Sequence, residues 1–534
     1  MKKIISMKKK ILYSVALALT MTLTGCFDDD STSATDNIAA TTIEGIESSY
    51  VKTAYVGEHL VITPDVKASF PEGQLTYTWM LLDSNTGSTD KNGNTIEPTI
   101  IGSEKNLDYD VQLSPGIYQL RLAVADKESG YTAYAKTSLT VRTLFSQAFY
   151  ILKETAEGNT EVDLLTLDGQ KGDNLLTQVN GAPLQGKPLT LYPNYDKYYI
   201  NPDNDEIEGT NAIMVTTDRH NISFFRTSDF KEIFNRDNIM FDAMDANEQP
   251  YGTFLTSFGK TVMITSTGIY SAVAKSNYTL PTSGQCGLPL SECGGSKHFF
   301  TDPLNYGGGA LWDATSHSLM AFDYNMTASP LLYDDWTGED ETQNLTSFDC
   351  LHCGYNCLAG SSVGTFVLAD NATGNRYLYL VSSTFFGCSL QNRILLPKDS
   401  HAATATAYST NGVSASYLYC LDNGKVYAAV INEGDYAESL LKFEGIGSDE
   451  KIVYVTNQFW NSTSNGSQKF DYLVVATQSG ANYKLRFYET NGGAPVGQPV
   501  HTAEGEGYVK SVRFQNDSFS TFDWYMGNVF SIND

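Results

Sequence analysis

Basic residues are scarce. The chain carries 35 Lys+Arg against 61 Asp+Glu, a formal net charge of −26 over 534 residues. Nucleic-acid binding needs clustered Lys and Arg to neutralise phosphates, so this balance argues against such a partner. Charge as a whole is low, at 18% of residues. Long apolar runs are lacking as well. No stretch after residue 25 is apolar for 18 residues, so no spanning helix is expected there. The sequence has no HExxH, no P-loop and no Rossmann fingerprint. Its seven His (His59, His220, His298, His317, His352, His401, His501) are scattered.

Aromatic and β-favouring residues are plentiful. Tyr (33), Gly (44) and Phe (26) stand out, and hydrophobic residues reach 41%. That content excludes a largely disordered chain and favours β structure over helix bundles. The length suits two or three domains, or one small domain and one large repeat domain.

The N-terminus reads as an address. Residues 1–25 hold Lys2, Lys3, Lys8, Lys9 and Lys10 and no acid. A thirteen-residue apolar run, Ile11 to Leu23, follows. It is too short to span a bilayer and has the layout of a secretory signal. The segment ends Leu23-Thr24-Gly25-Cys26. This ending resembles the lipobox of bacterial lipoproteins, in which the Cys is acylated and becomes residue one. Removing residues 1–25 takes the net charge from −26 to −31. Phe27-Asp28-Asp29-Asp30 comes next. It resembles the surface-export signal of Bacteroidota lipoproteins, and it also reads as a solvated tether over residues 26–40. The expected location is the outer membrane, lipid-anchored and facing the exterior, with the periplasmic face as the alternative. Multi-chain acylation gives stable anchoring where one chain would not.

Residues 41–142 read as a small β-sandwich. Leu75, Tyr77, Trp79 and Leu81 alternate, as do Tyr118, Leu120, Leu122 and Val124 after the Pro115-Gly116 turn. Ala54 to Ile62 and Ala133 to Val141 supply further strands, with His59 as a solvated turn residue. The spacing and central Trp suit an Ig-like fold, with Trp79 in the core. The Tyr77-x-Trp79 strand and the Gly116-x-Tyr118-x-Leu120-x-Leu122-x-Val124-x-Asp126 strand resemble a PKD-like domain. The match departs where a Gly-Asp-Gly type turn is replaced by Asp83-Ser84-Asn85-Thr86-Gly87. In that family such domains serve as spacers or adhesion modules.

Residues 143–534 show strand pairs separated by Gly, Asn or Asp turns. Examples are Ala148 to Lys153 with Val162 to Leu167, and Tyr472 to Thr477 with Tyr483 to Tyr488. Starts recur at roughly 45–60 residues, which suits four-stranded blades. The fold class is therefore all-β: an Ig/PKD-like sandwich followed by a β-propeller-like domain. Seven blades are favoured, with six or eight open, and further sandwiches are the competing architecture. The whole layout resembles the PKD-like family lipoproteins of Bacteroidota. These usually accompany SusC-like and SusD-like uptake proteins. The resemblance implies an accessory role and brings no catalytic residues.

Candidate chemistry is sparse. With Cys26 assigned to lipid, seven Cys remain. Cys286 and Cys293, and two of Cys350, Cys353 and Cys357, are placed for disulfides in an exported protein, with free buried thiols as the alternative; seven is odd, so at least one thiol stays unpaired. C-x2-C-x3-C with His352 inside also has zinc-ligand chemistry, but it lacks a partner motif. Gly360-Ser361-Ser362-Val363-Gly364 fits G-x-S-x-G, yet a strand rather than a helix is expected after it. The Asn201 to Glu208 loop offers carboxylates for calcium or is a solvated turn. No other cofactor is expected. Tyr333, Asp334, Asp335 and Trp336 lie in an acidic aromatic loop whose rings could stack on sugar while its carboxylates accept from hydroxyls. The same loop also suits a protein interface. The expected function is a non-catalytic accessory that binds a glycan or peptide nutrient or docks on a SusC/SusD-like transporter. The alternatives are a propeller-type glycan hydrolase or lyase and an adhesive protein. A carboxylate pair drawn from distant blades is invisible at this level.

Overall fold

The computed structural model describes the chain apart from residues 1–40, 54–58, 69–71, 84–96, 114, 203–204, 257–259, 274–283, 303–306, 333–343, 359–361, 385–386, 432–435, 462–468, 517–528 and 531–534. It divides into two compact units, Met1–Val141 and Arg142–Asp534.

The first unit is a β-sandwich. Its main sheet runs Ser49–Thr53, Thr132–Arg142, Gly116–Asp126, Leu75–Asp83, Thr99–Gly102 in spatial order. His59–Ile62 pairs with Leu107–Asp110, and Thr42–Glu44 with Asp65–Lys67. The alternation places Leu75, Trp79, Leu81, Tyr118, Leu120, Leu122 and Val124 in one core. Trp79 is fully buried and its indole N–H donates to the Glu104 carbonyl at 3.1 Å. That satisfied donor is the ordinary condition for a core Trp. His59 opens its strand in solvent, with Nδ1 2.6 Å from Asp108 Oδ1.

The second unit is propeller-like. Among the described residues it holds seven antiparallel sheets. In the first, Lys171–Gly172, Thr160–Thr166 and Ala148–Glu154 are joined by the distant Tyr508–Gln515. The next five are each built in chain order. They begin at Pro188–Asn201, Pro250–Leu255, Phe299–Thr301, Phe348–Asn356 and Ala407–Thr410. The seventh carries Ile452–Asn461, Lys469–Ser479 and Asn482–Asn491, with His501–Glu506 against the last. The strand that begins each sheet, and Tyr508–Gln515 in the first, is the inner strand. Inner strands of the first and second, second and third, fourth and fifth, fifth and sixth, sixth and seventh, and seventh and first sheets adjoin. Phe254 and Phe299 bring the third to the fourth, with ring centroids 5.9 Å apart. The ring therefore closes by pairing an early strand with a late one.

Burial on both faces explains why the pattern is not apolar-in, polar-out. Along Ala148–Leu152, Phe149 and Ile151 enter a cluster with Phe487, Val512 and Phe514. Ala148, Tyr150 and Leu152 enter another with Leu191, Ile213 and Phe225. Side chains alternate between faces, and each face meets a neighbouring sheet, so the strand is apolar throughout. Glycines on one sheet receive rings from the next. A Cβ on Gly412 would lie 1.8 Å from Phe459, and one on Gly364 2.0 Å from Phe300.

One expectation changes here: the disulfides read from the sequence are not formed in this structure. The Cys350–Cys357 group lies almost wholly on the inner strand Phe348–Asn356 of the fifth sheet. All seven cysteines Cys286, Cys293, Cys350, Cys353, Cys357, Cys388 and Cys420 are free thiols. Cys353 and Cys357 are buried in an inter-sheet core, and the Cys357 thiol donates to the Gly412 carbonyl at 3.1 Å. Cys286 bridges to Met240, while the Cys293 N–H donates to the Thr267 carbonyl at 3.2 Å, so the two are held by different neighbours.

Candidate functional site

The inner strands share a polar feature. Asn194, Asp302, Asn356, Asn411, Asn457 and Asn516 stand in or just beyond the inner strands of six sheets. All six are buried. Buried amides must find partners, and these find them across sheet boundaries. Asn194 Nδ2 donates to Thr253 Oγ1 at 2.9 Å, from second to third sheet. The Tyr355 hydroxyl of the fifth donates to Asp302 Oδ1 of the fourth at 2.8 Å. Asn356 Nδ2 donates to the carbonyls of Asn411 and Ala415, at 2.6 and 2.9 Å. The Gly412 N–H donates to Asn457 Oδ1 at 2.9 Å, from sixth to seventh. The Phe514 N–H donates to Gln458 Oε1 at 3.3 Å, from first to seventh. The Asn516 N–H donates to the Tyr195 hydroxyl at 3.2 Å, from first to second.

The result is a belt of amide, hydroxyl and carboxylate groups around the convergent strand ends. Arg513 adds a buried cation, its guanidinium 5.2 Å from the centre of the Tyr192 ring. Burial pushes the Tyr355 hydroxyl well above its usual range, with the Asp302 charge adding to it. Burial likewise drives His352 down to about 3, with the Lys297 charge a smaller contribution. Its Nε2 lies 2.9 Å from Thr410 Oγ1, so the neutral imidazole is a structural partner. Groups held neutral in this way suit hydrogen bonding rather than proton transfer near neutral pH.

The sites expected from sequence lie elsewhere. Tyr333, Asp334, Asp335 and Trp336 fall outside the described residues, as does Cys26. Gly360 and Ser361 do too, and Ser362 opens the strand Ser362–Asp370. Asn201 pairs with Glu206 across the end of a β-hairpin, and residues 203–204 between them lie outside the described residues. Glu208 accepts from the Tyr199 hydroxyl and Asn201 Nδ2, both at 2.9 Å. Among the described residues no group of three or more His, Cys, Asp or Glu is placed to hold a metal ion.

Residues 26–188 match the PKD-like family. No curated protein matches the chain in sequence. Among solved structures, the chain is similar to a quinonprotein alcohol dehydrogenase-like protein from Bacteroides thetaiotaomicron, with 15% identity, a TM-score of 0.38, and 90% of this chain and 99% of that one covered. It is similar to an auxiliary nutrient binding protein from Bacteroides ovatus, with 10% identity, a TM-score of 0.23, and 90% and 93% covered. It is also similar to apo AztD from Citrobacter koseri, with 9% identity, a TM-score of 0.32, and 68% and 100% covered.

The belt was missed in sequence because a single buried Asn per strand gives no periodic signal. The available clue was recurrence. Asp302, Asn356, Asn411, Asn457 and Asn516 recur at roughly the strand-group spacing.

Proposed function

We propose that this chain is a lipid-anchored surface protein of the outer membrane that binds a hydroxyl- or amide-rich nutrient and serves a SusC/SusD-like transporter. The observation that carries the binding role is the belt of amides and hydroxyls at the inner-strand ends. Such groups donate and accept together, which is what glycan hydroxyls and peptide bonds require of a site. The Leu23-Thr24-Gly25-Cys26 ending and the acidic stretch after it support the anchor and its orientation. The PKD-like match over residues 26–188 supports a spacer that carries the propeller away from the membrane.

The test is affinity purification of tagged full-length protein from mildly solubilised outer membranes, with mass spectrometry of what accompanies it. A stoichiometric transporter pair is the expected result. Recovery of the protein alone, with no glycan or peptide bound by the purified material, would sink the proposal. In parallel, Cys26→Ala is expected to move the protein from the membrane fraction to the soluble fraction.

A further inference from the structure

The belt's hydrogen bonding does not close everywhere among the described residues. Asn194 and Gln515 are both fully buried. Asn194 Oδ1 and Gln515 Oε1 have no hydrogen-bond partner. The two amides cannot simply be turned over. Thr253 Oγ1 donates to the Val262 carbonyl at 2.8 Å, so it must accept from Asn194, which fixes Nδ2 on that side. Gln515 Nε2 donates to the Asn516 carbonyl at 2.7 Å, which can only accept. Both free atoms are therefore acceptors.

They also stand at matching positions. Arg513 lies over Tyr192, and the Asn516 N–H donates to the Tyr195 hydroxyl. These two contacts tie the inner strands of the first and second sheets at one common offset. Asn194 and Gln515 occupy the equivalent position between them. Two buried carbonyl oxygens at one register level, each lacking a donor, carry a desolvation cost that no hydrogen bond recovers. A bridging group with two donors, or a hydroxyl backed by a second hydroxyl, removes that cost.

We propose that Asn194 Oδ1 and Gln515 Oε1 form a binding site for a neutral donor of two hydrogen bonds, supplied by two hydroxyls of a sugar or by a trapped water molecule. The inference rests on the nutrient-binding reading above and deepens it by naming the atoms and the ligand chemistry. It also gives binding a structural consequence. The occupant joins Tyr508–Gln515, the strand that closes the ring, to the second sheet, so occupancy raises the stability of closure.

The experiment uses purified full-length protein. Thermal unfolding is followed with D-glucose, D-mannose, D-xylose and N-acetyl-D-glucosamine, for wild type, Asn194→Leu and Gln515→Met. A high-resolution crystal structure is determined without sugar and with any sugar that stabilises. Two variants on different strands keep the test readable if one fails to fold. The expected result is a rise in midpoint with at least one sugar, weakened roughly tenfold or more in either folded variant. Sugar hydroxyls, or in their absence a water, within hydrogen-bond distance of both oxygens support the site and identify the source. A sugar that binds wild type and both variants equally overturns this site and leaves the nutrient reading standing. Crystals with nothing between the two oxygens overturn the site outright.

Discussion

Lys197 is a buried ammonium with unusual company. Its Nζ donates to the Gly284 carbonyl at 2.5 Å and lies 5.2 and 4.6 Å from the centres of the Phe224 and Phe234 rings. Burial lowers it from 10.5 to about 8, against a smaller opposing effect of Cys286. The direction of the pH effect follows. Below pH 8 both folded and unfolded states hold the proton, and the full burial penalty applies. Between about 8 and 10.5 the folded state releases its proton first, and stability rises with pH from this group. Lys197→Met is therefore expected to be more stable than wild type at pH 7, by on the order of 2–3 kcal/mol. The difference should shrink as pH approaches 10. Urea unfolding of both proteins across that range measures it, and a pH-independent difference would contradict the account. His352 works on the acid side. Its imidazole stays neutral in the fold to about 3, whereas an unfolded one takes its proton near 6.5. Stability from this group is complete above pH 6.5 and is lost as pH falls toward 3. His298, half-buried and driven down by desolvation, adds in the same direction. His352→Gln should flatten the slope of unfolding midpoint against pH over that window. An unchanged slope would assign the acid sensitivity elsewhere.

At the scale of elements, the strands that could be read were the ones with two apolar faces. Val162, Leu164 and Leu165, or Leu473 to Ala476, announce themselves by dense apolar content, and the structure places them in Thr160–Thr166 and Lys469–Ser479. The inner strands were harder. Pro188–Asn201 contains Pro193 and Asn194, and Phe348–Asn356 contains Cys350, His352, Cys353 and Gly354. Their side chains are buried but polar or small, because neighbouring inner strands crowd together and exchange hydrogen bonds. Propensity reads such sequences as loops or motifs. The same crowding predicts a mutational result. Gly412 receives the Phe459 ring, and a Cβ there would sit 1.8 Å from it. Overpacking typically costs about 1–3 kcal/mol. Gly412→Ala should lie at the upper end of that range, and Phe459→Leu added to it should recover part of the loss, since the two residues share one space. Denaturation midpoints of the two single variants and the double variant decide. Additive losses would mean that the ring and the glycine do not compete for that space.

At the scale of the whole propeller, everything depends on a late strand finding an early sheet. Tyr508–Gln515 pairs with Ala148–Glu154 over seven residues of the latter. Closure is reinforced by a buried polar clamp beside it. Lys153 Nζ lies 2.6 Å from Asp163 Oδ2, with both side chains almost fully buried. The Tyr483 hydroxyl of the seventh sheet donates to the same carboxylate oxygen at 2.7 Å, and the Asn174 N–H donates to its other oxygen at 2.6 Å. A residue from the first sheet is thus bonded to one from the seventh, on either side of the point where the ring shuts. Loop-closure entropy is large for so distant a pairing, so contacts that join the two ends matter more than their number suggests. Removing one member of a buried ion pair leaves an uncompensated charge and typically costs about 3–5 kcal/mol. Lys153→Met should lower the unfolding free energy of the propeller by that amount. It should also weaken hydrogen-exchange protection together in Ala148–Glu154, Tyr508–Gln515 and Asn482–Asn491, because one clamp serves all three. If protection fell in the first strand alone, the clamp would be a local pair, and ring closure would rest on backbone pairing and the apolar clusters without it.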